Sequence, residues 1–77
     1  MKLPVVSGRK IVKALKKAGF EIVGRKGSHI RLKKKTSEGT FIVVVPDHVE
    51  IAKSTLHSII RQSGMTRDEF IELLKQV

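Results

Sequence analysis

Apolar residues recur at helical spacing near the start of the chain. The apolar positions are Ile11, Ala14, Leu15 and Ala18. Ser7, just before them, has a hydroxyl that can cap a helix, and Gly19, just after them, suits the left-handed position that ends one. The pattern predicts a first helix over residues 8–18, with one apolar face and a strongly basic remainder.

The middle of the chain alternates between apolar and polar residues with the period of two that is typical of β-strands. The predicted strands are Phe20–Arg25, Ser28–Lys34 and Thr40–Val45, and the predicted turns are Lys26–Gly27 and Thr36–Gly39. The third stretch is β-branched and apolar, which predicts a well-buried strand. Because the turns are short, we expect an antiparallel meander with one face under the helices.

The same alternation predicts which side chains share a face of the sheet. The first strand places Phe20 and Ile22 on one face, and Glu21, Val23 and Arg25 on the other. The second strand points Ile30 and Leu32 one way, and His29, Arg31 and Lys33 the other. We therefore expect His29 on the exposed face of the sheet, and Lys34 on the face opposite Lys33.

Two further helices are predicted over about residues 53–63 and 67–75. Gly64 ends the first of them, and the Thr66-x-x-Glu69 pattern is a capping box that begins the second. The order α-β-β-β-α-α predicts an α+β fold, in which helices pack on one face of a three-stranded antiparallel sheet. We expect a single domain over residues 1–77.

Charge narrows the range of partners. Sixteen Lys and Arg against seven Asp and Glu give a formal net charge of +9, so the expected partner is anionic. The chain lacks Trp and Tyr, which makes a stacking platform for single-stranded bases hard to build and favours contacts to phosphate and ribose. It has no cysteine, no apolar run long enough for a membrane span and no signal-peptide pattern, so we expect a cytoplasmic protein.

The segment Gly27-Ser28-His29 carries the candidate chemistry. Histidine titrates near neutral pH, and here it lies between Arg25-Lys26 and Arg31-x-Lys33. A ribose 2′-hydroxyl attacks the adjacent phosphate when a base removes its proton and cations stabilise the charge that develops. His29 and its neighbours could meet both needs without a metal, which makes His29 the candidate catalytic residue of a ribonuclease. An exposed strand histidine that only hydrogen-bonds RNA, or that contacts nothing, is the alternative that the residues leave open.

A wider set of polar and cationic residues is predicted to contact RNA or phosphate. It comprises Arg25, Lys26, Ser28, Arg31 and Lys33 around His29, and Ser7, Arg9 and Lys10 at the start of the first helix. Helix N-termini attract anions, although capping alone also explains Ser7. A second proton-transfer group is not evident, and a nearby Lys, Ser28, water or His29 itself could serve.

The other two histidines fit simpler interpretations. His57 is predicted on the solvated face of the second helix. His48 stands near Asp47 and Glu50, but a turn that leads into a helix explains this group as well as a metal cluster does. We therefore predict no metal site and no cofactor.

Five stretches form an ordered pattern along nearly the whole chain. They are Ser7–Arg9, Leu15–Phe20, Gly27–His29, Val45–His48 and Thr55–Gly64. Together they resemble the HicA toxin family of bacterial and archaeal toxin–antitoxin systems. Many relatives carry glycine where this chain has Ser54, a difference that concerns the entry to the second helix rather than the chemistry.

The resemblance implies a fold like that of double-stranded-RNA-binding domains and the activity of an mRNA interferase. It also implies neutralisation by a HicB-type antitoxin protein, and it assigns the family's catalytic histidine to His29. Two other functions fit the composition: a double-stranded-RNA-binding module without catalysis, and a basic surface that docks an acidic protein.

Overall fold

A computed structural model describes residues 5–77, so the first four residues of the predicted domain lie outside the described range. The elements, in chain order, are α1 (Gly8–Lys17), β1 (Glu21–Lys26), β2 (His29–Thr36), β3 (Gly39–Pro46), α2 (Lys53–Ser63) and α3 (Arg67–Lys75). The strands form one antiparallel sheet in the order β1-β2-β3. The predicted α+β class and element order are confirmed.

Both ends of α1 are built as the sequence predicts. The Ser7 hydroxyl accepts a hydrogen bond from the backbone amide of Lys10 at 3.2 Å, and Gly19 adopts a φ of 104° just beyond the helix. Lys34 lies on the inner face of the sheet, as expected, and its Nζ donates to the Ala18 carbonyl at 2.7 Å. A cation near the last carbonyls of a helix also interacts favourably with the helix dipole.

The core lies between the helices and one face of the sheet. From the strands it takes Ile30, Leu32, Val43 and Val45, and from the helices it takes Ile11, Leu15, Leu56, Ile59 and Phe70. The capping box of α3 is present, with Thr66 and Glu69 exchanging two hydrogen bonds of 3.1 and 3.2 Å. No helix within residues 5–77 is long and apolar enough to cross a membrane.

The prediction that the third strand is well buried is wrong. β3 is an edge strand, and its burial alternates: Val43 and Val45 are fully buried, whereas Ile42 is 55% exposed. The reason is that the helices cover only one face of the sheet. An apolar, β-branched run does not by itself show whether one or both faces are covered.

The first strand also differs from its predicted pattern. The register with β2 shifts between Ile22 and Gly24, which is the signature of a β-bulge. After the shift, Arg25 pairs with Ile30 and therefore lies on the helix-covered face, not on the face of His29 as predicted. The following turn consists of Gly27 and Ser28, so Ser28 precedes β2 rather than beginning it.

Candidate nucleic-acid interface

His29 is the first residue of β2 and lies on the face of the sheet that the helices leave uncovered. Its neighbour Ile30 is buried, and alternation along the strand turns the imidazole to the other side, where His29 is exposed. In the sheet register His29 is flanked by Lys26 of β1 and Pro46 of β3. Gly27, in the turn before it, has a φ of 59°, a left-handed conformation that favours glycine.

A row of cations continues from His29 along the same face of β2. The row is His29, Arg31, Lys33 and Lys35, with successive members roughly 6.6 Å apart along the strand. Lys26 lies beside His29 on β1, and a shallow depression is lined by Lys26, His29, Arg31 and Val44. We call the surface formed by Lys26, His29, Arg31, Lys33 and Lys35, together with Ile42 and Val44 of β3, the open face.

The β3 side of the open face is apolar, a feature that the sequence analysis did not predict. Ile42 lies opposite Lys33, and Val44 lies opposite Arg31. The backbone amide of Val44 donates to Oε1 of Gln62 on α2 at 3.3 Å, so the Gln62 side chain supplies a hydrogen-bond partner for one backbone amide on the outer edge of the sheet. The open face therefore offers a ligand both charge and apolar contact.

Arg25 and Arg9 are brought together by Asp47, which follows β3. One carboxylate oxygen of Asp47 lies 2.7 Å from Nη2 of Arg25, and the other lies 3.5 Å from Nε of Arg9. Both arginine side chains are more than half exposed, whereas that of Asp47 is only 14% exposed. From the sequence alone, Asp47 is expected only as a turn residue or a weak metal ligand. The one sequence feature that could have pointed to its contacts with arginine is that Asp47 is an acidic residue in a strongly basic chain.

The predicted phosphate-binding residues thus divide between two places. Lys26, Arg31 and Lys33 lie on the open face with His29. Of the residues at the start of α1, Ser7 and Arg9 border a second depression, whose lining also includes Asp47, His48 and Val49. Lys10 is exposed on α1 and does not line it. Ser28 lies in the turn before His29, where its carbonyl accepts from the amide of Asp47 at 2.5 Å.

The remaining histidines are placed as the simpler interpretations predict. His57 is exposed on α2. His48 is exposed, and its carbonyl accepts from the amide of Gly8 at 2.8 Å, which ties the start of α1 to the end of β3. Within residues 5–77, no group of three or more His, Cys, Asp or Glu side chains is arranged to hold a metal ion.

The fold and this surface define a small basic α+β domain that presents a histidine within a row of cations. The family model described as the HicA toxin of bacterial toxin–antitoxin systems matches residues 8–65, which span α1, the whole sheet and α2. The chain belongs to this family of toxins from toxin–antitoxin systems. A comparison with curated proteins finds no match.

Proposed function

We propose that this toxin is a metal-independent endoribonuclease that cleaves mRNA and uses His29 for proton transfer. The observation that supports this most directly is the placement of His29 at the head of a cation row on a sheet face open to a polymer. An exposed face suits an RNA strand, which a deep pocket would exclude. The family match supports the toxin role, and the catalytic histidine implied by the resemblance falls on the same residue.

In the proposed reaction, the ribose 2′-oxygen attacks the adjacent phosphorus while His29 takes the 2′-hydroxyl proton. The new bond joins O2′ to phosphorus, and the bond from phosphorus to O5′ breaks. The products are a 2′,3′-cyclic phosphate and a 5′-hydroxyl, whose oxygen must gain a proton. Lys26 and Arg31 flank His29 and would stabilise the charge on the phosphorane. Lys26, the cross-strand partner of His29, is also the candidate proton donor.

RNA binding would depend on the cations of the row beyond His29. Lys33 continues the line of cations at a spacing that lets each side chain meet a different phosphate, and Ile42 and Val44 can contact ribose. The proposal places the toxin in the cytoplasm, where mRNA is translated. A HicB-type antitoxin would neutralise it by covering the open face with a complementary acidic surface.

The test is cleavage of labelled RNA by wild type, His29→Ala and a matched control, His57→Ala. Both histidines are exposed, so both variants should keep the stability of the wild type within about 0.5 kcal/mol. We expect His29→Ala to lose cleavage while keeping most of its RNA affinity, and His57→Ala to cleave normally. Wild-type cleavage should survive a chelator and leave cyclic phosphate ends.

Two results would count against the proposal. Strict dependence on a divalent ion would exclude the metal-independent route. RNA that stays intact with wild type, together with binding that weakens steeply with salt, would instead favour a double-stranded-RNA-binding module without catalysis. The cation row alone could support such a module.

A further inference from the structure

The Asp47 carboxylate joins three parts of the fold next to His29. It contacts Arg25 at the end of β1 and Arg9 in the first turn of α1. Its own backbone lies against the start of α1, where a Cβ added to Gly8 would overlap the Pro46 carbonyl oxygen and approach Cα of Asp47 to 3.3 Å. Asp47 is therefore held closely in place and little exposed to water.

The turn before His29 is held from two sides, and Asp47 takes part in both. On one side, the Asp47 amide donates to the Ser28 carbonyl at 2.5 Å. On the other, Nε of Arg25 donates to the Gly27 carbonyl at 3.3 Å while its Nη2 is bound by the Asp47 carboxylate. The carboxylate thus orients the guanidinium that binds the turn, and the backbone amide binds the turn directly.

From these contacts we infer that Asp47 is a positioning residue for His29, acting through Arg25 and the Gly27–Ser28 turn. The inference rests on the proposed function, since it concerns how the same imidazole is aligned. Proton transfer depends steeply on geometry, and misplacement by about 1 Å can cost a hundredfold in rate. A turn held by a charged side chain limits such displacement of the residue that follows it.

The charge of Asp47 makes this role separable from RNA binding. A carboxylate beside two arginines offsets part of their attraction for phosphate, so its removal should leave RNA affinity unchanged or raise it. A positioning residue, in contrast, should lower the cleavage rate when removed. Asp47→Asn keeps the backbone amide and the approximate size of the side chain. It removes the negative charge and replaces one of the two acceptor oxygens that contact Arg9 and Arg25 with an NH2 donor.

The experiment measures kcat at saturating RNA, and Kd in a His29→Ala background in which RNA stays intact. We expect Asp47→Asn to lower kcat by roughly tenfold to a hundredfold without weakening binding. Glu38→Gln is the matched control, because it changes the net charge equally from the exposed turn at the opposite end of the β2–β3 hairpin, and it should leave kcat unchanged. Asp47→Glu, which keeps the charge, should recover part of the rate.

A double-mutant cycle with Arg25→Gln tests the route. If Asp47 acts through Arg25, then Asp47→Asn should change kcat by less than about twofold once Arg25 is replaced. Equal kcat for wild type and Asp47→Asn, or full additivity with Arg25→Gln, would overturn the inference. All rates are compared below the unfolding transition of each variant, which separates a loss of kcat from a loss of folded protein.

A second measurement decides the question even if the wild type fails to cleave RNA, a result that would overturn the proposed function alone. Asp47→Asn should speed amide hydrogen exchange at Ser28 and His29, while exchange in α2 stays unchanged. Unchanged exchange in the turn would show that the carboxylate does not hold it, and the inference would fail.

Discussion

Lys33 and Lys34 are chemically identical neighbours that the sheet sends to opposite faces. Lys33 lies on the open face, whereas Lys34 turns under the sheet to donate to the Ala18 carbonyl. Its Nζ also lies 5.8 Å from the centre of the Phe20 ring, a cation–π distance. Replacing each lysine by glutamine should therefore separate stability from RNA binding.

The cost of Lys34→Gln can be worked out from its contacts. A hydrogen bond from a charged donor contributes about 1.5–3 kcal/mol, and cation–π contact about 0.5–1 kcal/mol when exposed. Because Lys34 is only half-buried and these terms overlap, we expect a loss of about 1–2 kcal/mol. For a domain of this size that lowers Tm by about 4–16 °C. Lys33→Gln has no such contact and should change stability by less than about 0.5 kcal/mol.

The expected effects on RNA binding are the reverse. If Lys33 neutralises one phosphate of a single strand, its loss should reduce the slope of log K against log salt by about 0.7 and weaken binding at low salt. Lys34→Gln should leave that slope unchanged. The assays are thermal unfolding followed by circular dichroism, and RNA titrations over a range of salt in the His29→Ala background. A smaller slope for Lys34→Gln, or a loss of Tm with Lys33→Gln as large as that with Lys34→Gln, would contradict the placement of the two lysines on opposite faces.

Two further predictions concern the fold. Gly8→Ala should lower the free energy of unfolding, measured by chemical denaturation, by about 1–3 kcal/mol, because the added Cβ meets the Pro46 carbonyl. Gly24→Ala should be tolerated, because the space around Gly24 is open. Equal stability of the two variants would contradict this packing. The backbone hydrogen bond from Thr66, aided by the Thr66 side chain, lowers the pKa of Glu69 below its ordinary 4.5. A carboxyl group with a lowered pKa stabilises the folded state at pH values above its ordinary pKa, and this stabilisation is lost as the pH falls through the folded-state pKa. The Tm advantage of wild type over Glu69→Gln should therefore disappear in acid. A Tm difference that stays constant with pH would contradict this prediction.

Much of the fold could be predicted because its signals are local. The caps Ser7 and Gly64 and the Thr66–Glu69 capping box act within a single turn of chain, so they mark helix ends wherever the helices pack. The exposure of His29 follows from the burial of Ile30 and the period of a strand. The family match also agrees with motifs that run in order along the chain.

The misplacement of Arg25 has a different origin. A single extra residue at the β1 bulge reverses the face of every side chain beyond it, and the only local signal was the isolated Gly24 within the strand, a residue that often marks a bulge. The contact between Arg25 and Asp47 joins residues that are 22 positions apart, and it exists only because the sheet register brings the ends of β1 and β3 to the same corner.

By itself, then, the sequence determined the order of the elements, the helix ends and the face of His29, because each depends on neighbours along the chain. Only the packed fold shows that the outer face of β3 stays uncovered, which leaves Ile42 exposed in an apolar strand. Strand pairing also places Arg25 on the face opposite the His29 imidazole, where its guanidinium binds Asp47. Those outcomes depend on pairing between distant segments, where burial and register are set by the whole fold.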